Sequence, residues 1–194
     1  MEVASFFVRK GTPCIMTLLD CTKAFDKCRF DLIFSKLLQR GVPAIVIRVL
    51  IFVYQEQKAW VKWGQSRSRS FGLVNGTRQG SVLSPALFSV YMDDLIVKLR
   101  RSGVGCNLGN VFCGVVGYAG DILLLAPSRS AMETMLSICE NYAGDNNLEF
   151  STDPDPVKSK SKFIFMRGKI IDHQTKGKSV VKSKSAFMVL LIFI

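Results

Sequence analysis

Tyr118-Ala119-Gly120-Asp121 separates two apolar runs, residues 111–117 and 122–126. A short polar break between runs of strand length predicts a β-hairpin over 111–126 with Gly120 near its tip. Upstream, residues 15–19 form a further apolar run that ends at Asp20. This reads as a buried strand carrying a carboxylate at its end. Asp20 and Asp121 are thus two candidate metal-ligating aspartates at strand ends, and the fold reading grows from them.

Between and after these runs the chain alternates helix and strand signals. Asp31 is a candidate N-cap, followed by Leu32, Ile33, Leu37 and Leu38 at helical spacing, and Gly41 with Pro43 ends that helix. A second helix is expected over 43–57 with Ile45, Val49, Phe52 and Val53 inward. Residues 60–63 and 70–74 read as strands around the polar turn 64–69. Ser84-Pro85 starts a helix in which Leu87, Tyr91, Leu95 and Leu99 recur every four residues. Arg100 and Arg101 complement its C-terminus before Gly103. A further helix over 130–143 precedes strands at 148–150 and 162–166.

The chain has 194 residues, a hydrophobic fraction of 48% and a formal net charge of +11. One packed domain is the expectation. The surplus of cations favours a polyanionic partner, nucleic acid before an acidic membrane surface. Six cysteines lie scattered in apolar stretches with no C-x-x-C pair, and the single histidine, His173, is remote. They read as small core residues in a reducing compartment rather than as a zinc site. Neither a signal peptide nor a transmembrane helix is expected. The chain should therefore work inside the cell, in nucleus or cytoplasm, and not be secreted. Residues 151–185 hold nine Lys/Arg against three Asp/Glu. From Gly168 on, the expectation is a mobile, basic tail ending in the apolar run 186–194.

Transfer of a nucleotide needs two divalent ions about 4 Å apart. Magnesium takes oxygen ligands, a few of them carboxylates. A strand-end aspartate facing a tight hairpin with two more supplies that set. Asp20 and Asp121 have the right setting, whereas Gly120 has no ligand atom.

Four segments carry a resemblance. Leu19-Asp20-Cys21-Thr22-Lys23-Ala24-Phe25-Asp26 resembles the first catalytic motif of the reverse transcriptases of non-LTR, LINE-type retrotransposons. Gly76-Thr77-Arg78-Gln79-Gly80-Ser81-Val82-Leu83-Ser84-Pro85-Ala86-Leu87-Phe88 is similar to their second motif, and Tyr118-Ala119-Gly120-Asp121 to their third, with glycine in place of the first aspartate. Leu148-Glu149-Phe150 with Lys160-Ser161-Lys162 is similar to the next. The likeness runs over about 17–166.

The resemblance implies an α+β right-hand palm, an antiparallel sheet backed by helices, with partial fingers and no thumb. It implies a domain over 1–167 and a divergent tail over 168–194. It makes Asp20 and Asp121 catalytic metal ligands for Mg²⁺, and Gly120 a lost ligand position. Phe25 becomes the aromatic gate against a ribose 2′-hydroxyl. Arg78, Gln79 and Gly80 line the template and nucleotide pocket, and Lys160 approaches the leaving phosphates, with Lys158 and Lys162 as rivals. The partners implied are an RNA template, a DNA primer and deoxynucleotides. The activity implied is RNA-directed DNA polymerisation, disabled at Gly120. The alternatives are a non-enzymatic nucleic-acid-binding remnant and a decayed retroelement fragment without selected function.

Residue by residue, blander roles stand beside these. Asp20 can cap a helix, Phe25 can be plain core, Gln79-Gly80 can be a turn, and 158–162 can be a solvated run. Tyr91-Met92-Asp93-Asp94 imitates the third motif as retroviral enzymes write it. It falls within the helix begun at Ser84-Pro85, where neighbouring side chains diverge by about 100°. Solvent exposure is the expected role of Asp93 and Asp94.

Overall fold

The structure, a computed structural model, describes residues 2–78, 80–151 and 160–166. Gln79, Lys158 and the basic tail from 167 onward lie outside the described residues. The elements in chain order are α1 (Glu2–Arg9), β1 (Cys14–Asp20), α2 (Ala24–Lys27), α3 (Phe30–Gln39) and α4 (Ala44–Gln55). Four two-residue strands follow, β2 (Lys58–Ala59), β3 (Lys62–Trp63), β4 (Ser66–Arg67) and β5 (Phe71–Gly72). Then come α5 (Ser84–Arg101), β6 (Asn107–Leu108), β7 (Val111–Phe112), β8 (Val115–Tyr118), β9 (Asp121–Ala126), α6 (Arg129–Asp145) and β10 (Lys162–Met166).

The main sheet has the order β10-β1-β9-β8, and every neighbouring pair is antiparallel. Successive side chains of a strand alternate between its faces. Ile15 and Leu19 of β1, with Ile122, Leu124 and Ala126 of β9, enter the main core. That core includes Leu87, Tyr91, Leu95 and Leu99 of α5 and Met132, Met135 and Cys139 of α6. The opposite face carries a smaller cluster, in which Cys14 and Leu125 pack with Ala4 of α1 and with Cys106. This is an α+β fold of the polymerase-palm kind: an antiparallel sheet backed by helices. No described helix is long and apolar enough to cross a membrane. Five of the six cysteines are buried and Cys113 is half-buried, all as free thiols.

Several local expectations shift. α3 begins at Phe30 with Arg29 at the N-cap, so Asp31 sits inside the first turn. There it accepts two hydrogen bonds from the Arg29 guanidinium, at 3.1 and 2.5 Å, and favours the positive end of the helix. Ser84 is likewise inside α5, and its hydroxyl donates to the Arg78 carbonyl (2.5 Å) instead of capping. The cap of α6 is Ser128, which accepts from the Ala131 N–H (3.2 Å). Only Phe150 of the expected strand at 148–150 pairs, in a single bridge to Cys21.

The largest correction concerns α4. Ile45, Val49, Phe52 and Val53 are exposed, and so is Leu38 of α3. Ile47 and Tyr54 are buried instead, with Leu50 and Ile51 packed beside them. The segment AIVIRVLIFVYQ is apolar nearly all round. Two stripes satisfy helical spacing equally, and only packing chooses between them. In α3 and α5 a polar contact overrides expectation. Asp94 forms an ion pair with the buried Lys36, while Arg40 reaches Asp93 and Asp94 at 2.9 Å. Lys36 also donates to the Tyr142 hydroxyl (3.3 Å). Asp94 is thus part of the α3–α5 seam, not a free surface charge.

Two stability comparisons follow from this packing. Ile47→Ala should cost roughly 2–5 kcal/mol, whereas Val49→Ala should stay within about 0.5 kcal/mol; urea midpoints separate the two. Asp94→Asn strands the buried ammonium and should cost roughly 1–3 kcal/mol. That is less than for a fully buried pair, because the Asp94 side chain keeps 39% of its exposure. Lys36→Met, which removes the charge and keeps the stem, should change stability by less than about 1 kcal/mol.

Candidate active site

Asp20 ends β1 and Asp121 begins β9, and the two are direct cross-strand partners. Directly opposed residues of adjacent antiparallel strands project to the same face. Asp20 falls in phase with Cys14, and Asp121 with Leu125, so both carboxylates leave the face that does not meet α5 and α6. The alternation that buries Leu19 and Ile122 therefore turns the two aspartates to the other face, where Asp121 is exposed and Asp20 half-buried.

The end of β1 is held from both sides. Cys21 N–H donates to the Gly120 carbonyl (3.0 Å). Ser151 N–H donates to the Asp20 carbonyl (2.7 Å), and Thr22 N–H to the Glu149 carbonyl (2.8 Å). The Asp20 N–H itself donates to Ser161 Oγ (3.3 Å). Lys160 brings its ammonium to 3.9 Å from Asp20 Oδ2, while Lys162 lies on β10 opposite Leu18. The Ser151 amide contact and the role of the Ser161 hydroxyl at this strand end have no periodic signal in the sequence.

Charge is concentrated at this corner. Although Asp121 reaches solvent, withdrawal of its carboxylate from water, then the like charge of Asp20, push its pKa above the ordinary value; Lys160 pulls it back. The buried Cys21 thiol beneath is pushed up to about 12, by burial first and then by Asp20 and Asp121.

Gly120 occupies the turn between the paired residues Tyr118 and Asp121. The left-handed residue of that turn is Ala119, at φ +49°, and Gly120 does not adopt positive φ. The backbone thus makes no demand for glycine at 120. A Cβ there would stand 3.1 Å from Ala24 Cβ and 3.7 Å from Cys21 Cβ. A side chain at 120 fits once Ala24 gives by a few tenths of an ångström.

Phe25 stacks on Phe88 with ring centroids 4.9 Å apart. It also lines a cleft of about 490 Å³ with Gly80, Ser81, Val82, Ser84 and Pro85. The segment carrying Gly76, Thr77 and Arg78 is fastened there. Gly76 N–H donates to Cys28 O (2.8 Å), and Thr77 N–H to Phe25 O (2.7 Å). A Cβ on Gly76 would lie 2.9 Å from the Asp26 carbonyl, so this glycine is required for the close approach. Arg78 is exposed, and its carbonyl anchors Ser84. The fold thus brings Asp20, Asp121 and Lys160 to one corner, and Phe25 and Gly80 to a cleft built on the loop after β1.

A centre of two divalent ions carries four positive charges, and its ligands must offset them. Asp20 and Asp121 offer two negative charges, and Lys160 returns one positive. Among the described residues no group of three His, Cys, Asp or Glu side chains gathers around a point. The residues present do not fit a two-ion centre, and Gly120, in the turn beside Asp121, brings no ligand atom.

Residues 3–174 match the family model "Reverse transcriptase (RNA-dependent DNA polymerase)". The chain is 29% identical over 134 residues to the Pol polyprotein of the type-1 retrotransposable element R2 of Nasonia vitripennis, covering 69% of this chain and 13% of that protein. It is 27% identical over 140 residues to the Pol polyprotein of the type-2 element R2DM of Drosophila melanogaster, covering 72% and 13%. The matched part is thus about an eighth of the length of these relatives. Among solved structures, the apo telomerase of Candida tropicalis superposes with a TM-score of 0.62 at 11% identity, covering 85% of this chain and 34% of that one. With the fold, the ordered motifs and these matches together, the chain belongs to the reverse transcriptase family, in the branch carried by non-LTR retrotransposons.

Proposed function

We propose that this chain is a reverse-transcriptase palm with partial fingers that has lost nucleotidyl transfer and keeps affinity for nucleic acid. On this reading residues 1–167 form the domain and 168–194 an appended segment. The observation that carries the proposal is Gly120, at the turn beside Asp121 and against the strand end of Asp20. Its ligands would be an RNA template and a DNA primer. The cleft at Phe25 and Gly80 is where a deoxynucleotide sugar would lie, with Arg78 on the segment that leads to it and Lys160 toward the phosphates; Gln79, the other expected contact, lies outside the described residues. Magnesium, when a full ligand set holds it, supplies charge neutralisation at the phosphate and an activated hydroxyl. Asp20 and Asp121 alone would bind it too weakly for that. Phosphate contacts supply most of the remaining affinity, as the +11 charge suggests.

Loss of one preorganised electrostatic contact commonly costs about 3–4 kcal/mol, or roughly 100–1,000-fold in rate. The unmodified chain should therefore give no primer extension on an RNA template with Mg²⁺. Gly120→Asp should tighten Mn²⁺ binding, read by electron paramagnetic resonance, at least tenfold, and adding Asp20→Ala should cancel that gain. Robust extension by the unmodified chain, abolished by Asp20→Ala, would overturn the reading.

The raised pKa of Asp121 gives a second readout. The folded-state pKa of Asp121 is raised, so its protonated form stabilises the fold. That contribution is complete below the ordinary value of 3.8 and is lost as pH rises through the raised one. Asp121→Asn should thus be more stable than the parent at pH 7, with the advantage shrinking on acidification; urea titrations at several pH values check this.

A further inference from the structure

Residues 58–72, between α4 and α5, form an exposed arm that the site above does not use. Its base is the β2–β5 ladder, Lys58 opposite Gly72 and Ala59 opposite Phe71, closed by a Leu73 N–H bond to Gln57 O (3.1 Å). Its tip is the β3–β4 hairpin, Lys62 opposite Arg67 and Trp63 opposite Ser66. Every residue from 60 to 72 is exposed.

Both tryptophans of the chain lie on this arm. Trp63 is 85% exposed and Trp60 51%. The Arg67 guanidinium stacks 3.7 Å from the Trp60 ring centroid. A large ring left in water contributes nothing to a core. Lys58, Lys62, Arg67 and Arg69 on the arm, with Arg78 just beyond it, add five positive charges, and the sequence has no Asp or Glu between Glu56 and Asp93. None of these five has a carboxylate partner among the described residues. A flat ring beside unpaired cations suits a ligand that is both planar and polyanionic. Single-stranded nucleic acid has that chemistry: bases stack on the rings and phosphates meet the cations. An acidic protein would satisfy the charge and leave the rings unused.

Position supports the same occupant. Beyond the arm the chain soon reaches Gly76 and Thr77, which are tied to Cys28 and Phe25 on and just after α2, the short helix that follows Asp20. The arm therefore leaves the body close to the candidate active site.

We propose that the 58–72 arm is a stacking platform for single-stranded RNA, with Trp63 and the Arg67-backed Trp60 as base contacts and Lys58, Lys62 and Arg69 as phosphate contacts. The choice of RNA rests on the function proposed above.

Because the arm holds both tryptophans, their fluorescence reports on it directly. The 194-residue chain is titrated with a fluorescein-labelled, unstructured single-stranded RNA, following anisotropy for binding and tryptophan emission for stacking. Expected are quenching that tracks binding, a loss of affinity of roughly 5- to 150-fold for Trp63→Ala, and near-parental affinity for Trp63→Phe. Trp63→Ala should leave the salt dependence intact. Lys62→Ala should lower its logarithmic slope by about 0.7. Binding without quenching, and indifferent to Trp63→Ala, overturns the platform while leaving the nucleic-acid reading of the domain in place. No binding at low salt overturns both. Quenching by the RNA duplex alone overturns the platform. So does a parental dimer, seen by sedimentation, that Trp63→Ala dissociates while RNA affinity stays unchanged: the arm is then a self-association surface.

Discussion

The pairing of β1 with β9 is the constraint on which the rest of the molecule depends. Six residues of each strand face one another, from Ile15 opposite Ala126 to Asp20 opposite Asp121. Because side chains alternate, one register serves two ends. It sends Ile15, Leu19, Ile122 and Leu124 against α5 and α6, and it leaves both aspartates on the other face. A slip of one residue in either strand would turn its apolar set outward and its carboxylate inward. Burying an unpaired carboxylate costs several kcal/mol, and so does exposing the apolar set. The core thus specifies the position of the acidic pair, and the pair needs no stabilising contact of its own.

The same register leaves position 120 outside what holds the architecture together. The turn obtains its left-handed residue from Ala119, so position 120 is conformationally ordinary. Its neighbours are the Cβ atoms of Ala24 and Cys21 and the backbone of Cys21. Nothing in the sheet or the core rests on a side chain there. The residue at this place can vary with little consequence for folding, a general property of positions at strand ends on an independently stable scaffold. Gly76 is the contrast. The Asp26 backbone occupies the space of its Cβ, and substitution there would push apart the two loops that frame the Phe25 cleft.

Polar contacts divide along the same line. Those that hold the body together are buried and shared among several groups. Lys36 meets Asp94 and Tyr142 between α3, α5 and α6. Tyr142 O–H donates to the Tyr91 carbonyl, and Tyr91 O–H to the Asn146 carbonyl. The cations of the 58–72 arm are exposed and lack carboxylate partners among the described residues, and the Lys160 side chain keeps 75% of its exposure. Charge that is already neutralised serves stability, and charge left open serves encounter with a partner.

Much of this was legible in the chain itself. The strand ending at Asp20, the hairpin around Gly120 and the four-residue stripe of α5 each rest on a local pattern of period 2 or about 3.6, and such patterns are carried wholly by the sequence. That position 120 is glycine, with no ligand atom, is likewise read directly from the chain. What periodicity could not decide was any choice between equivalent faces. α4 offers two apolar stripes, and contact with α3 selected Ile47 and Tyr54 over Val49 and Phe52. Nor could spacing along the chain show that Asp94 meets Lys36, that Ser161 meets the Asp20 amide, or that Trp60 receives Arg67. These partners are brought together by how elements dock, and docking depends on the shape of the whole core. Sequence by itself determined which elements form and which chemistry they carry; only tertiary packing decided which faces meet, and hence which charges are spent inside and which remain for a ligand.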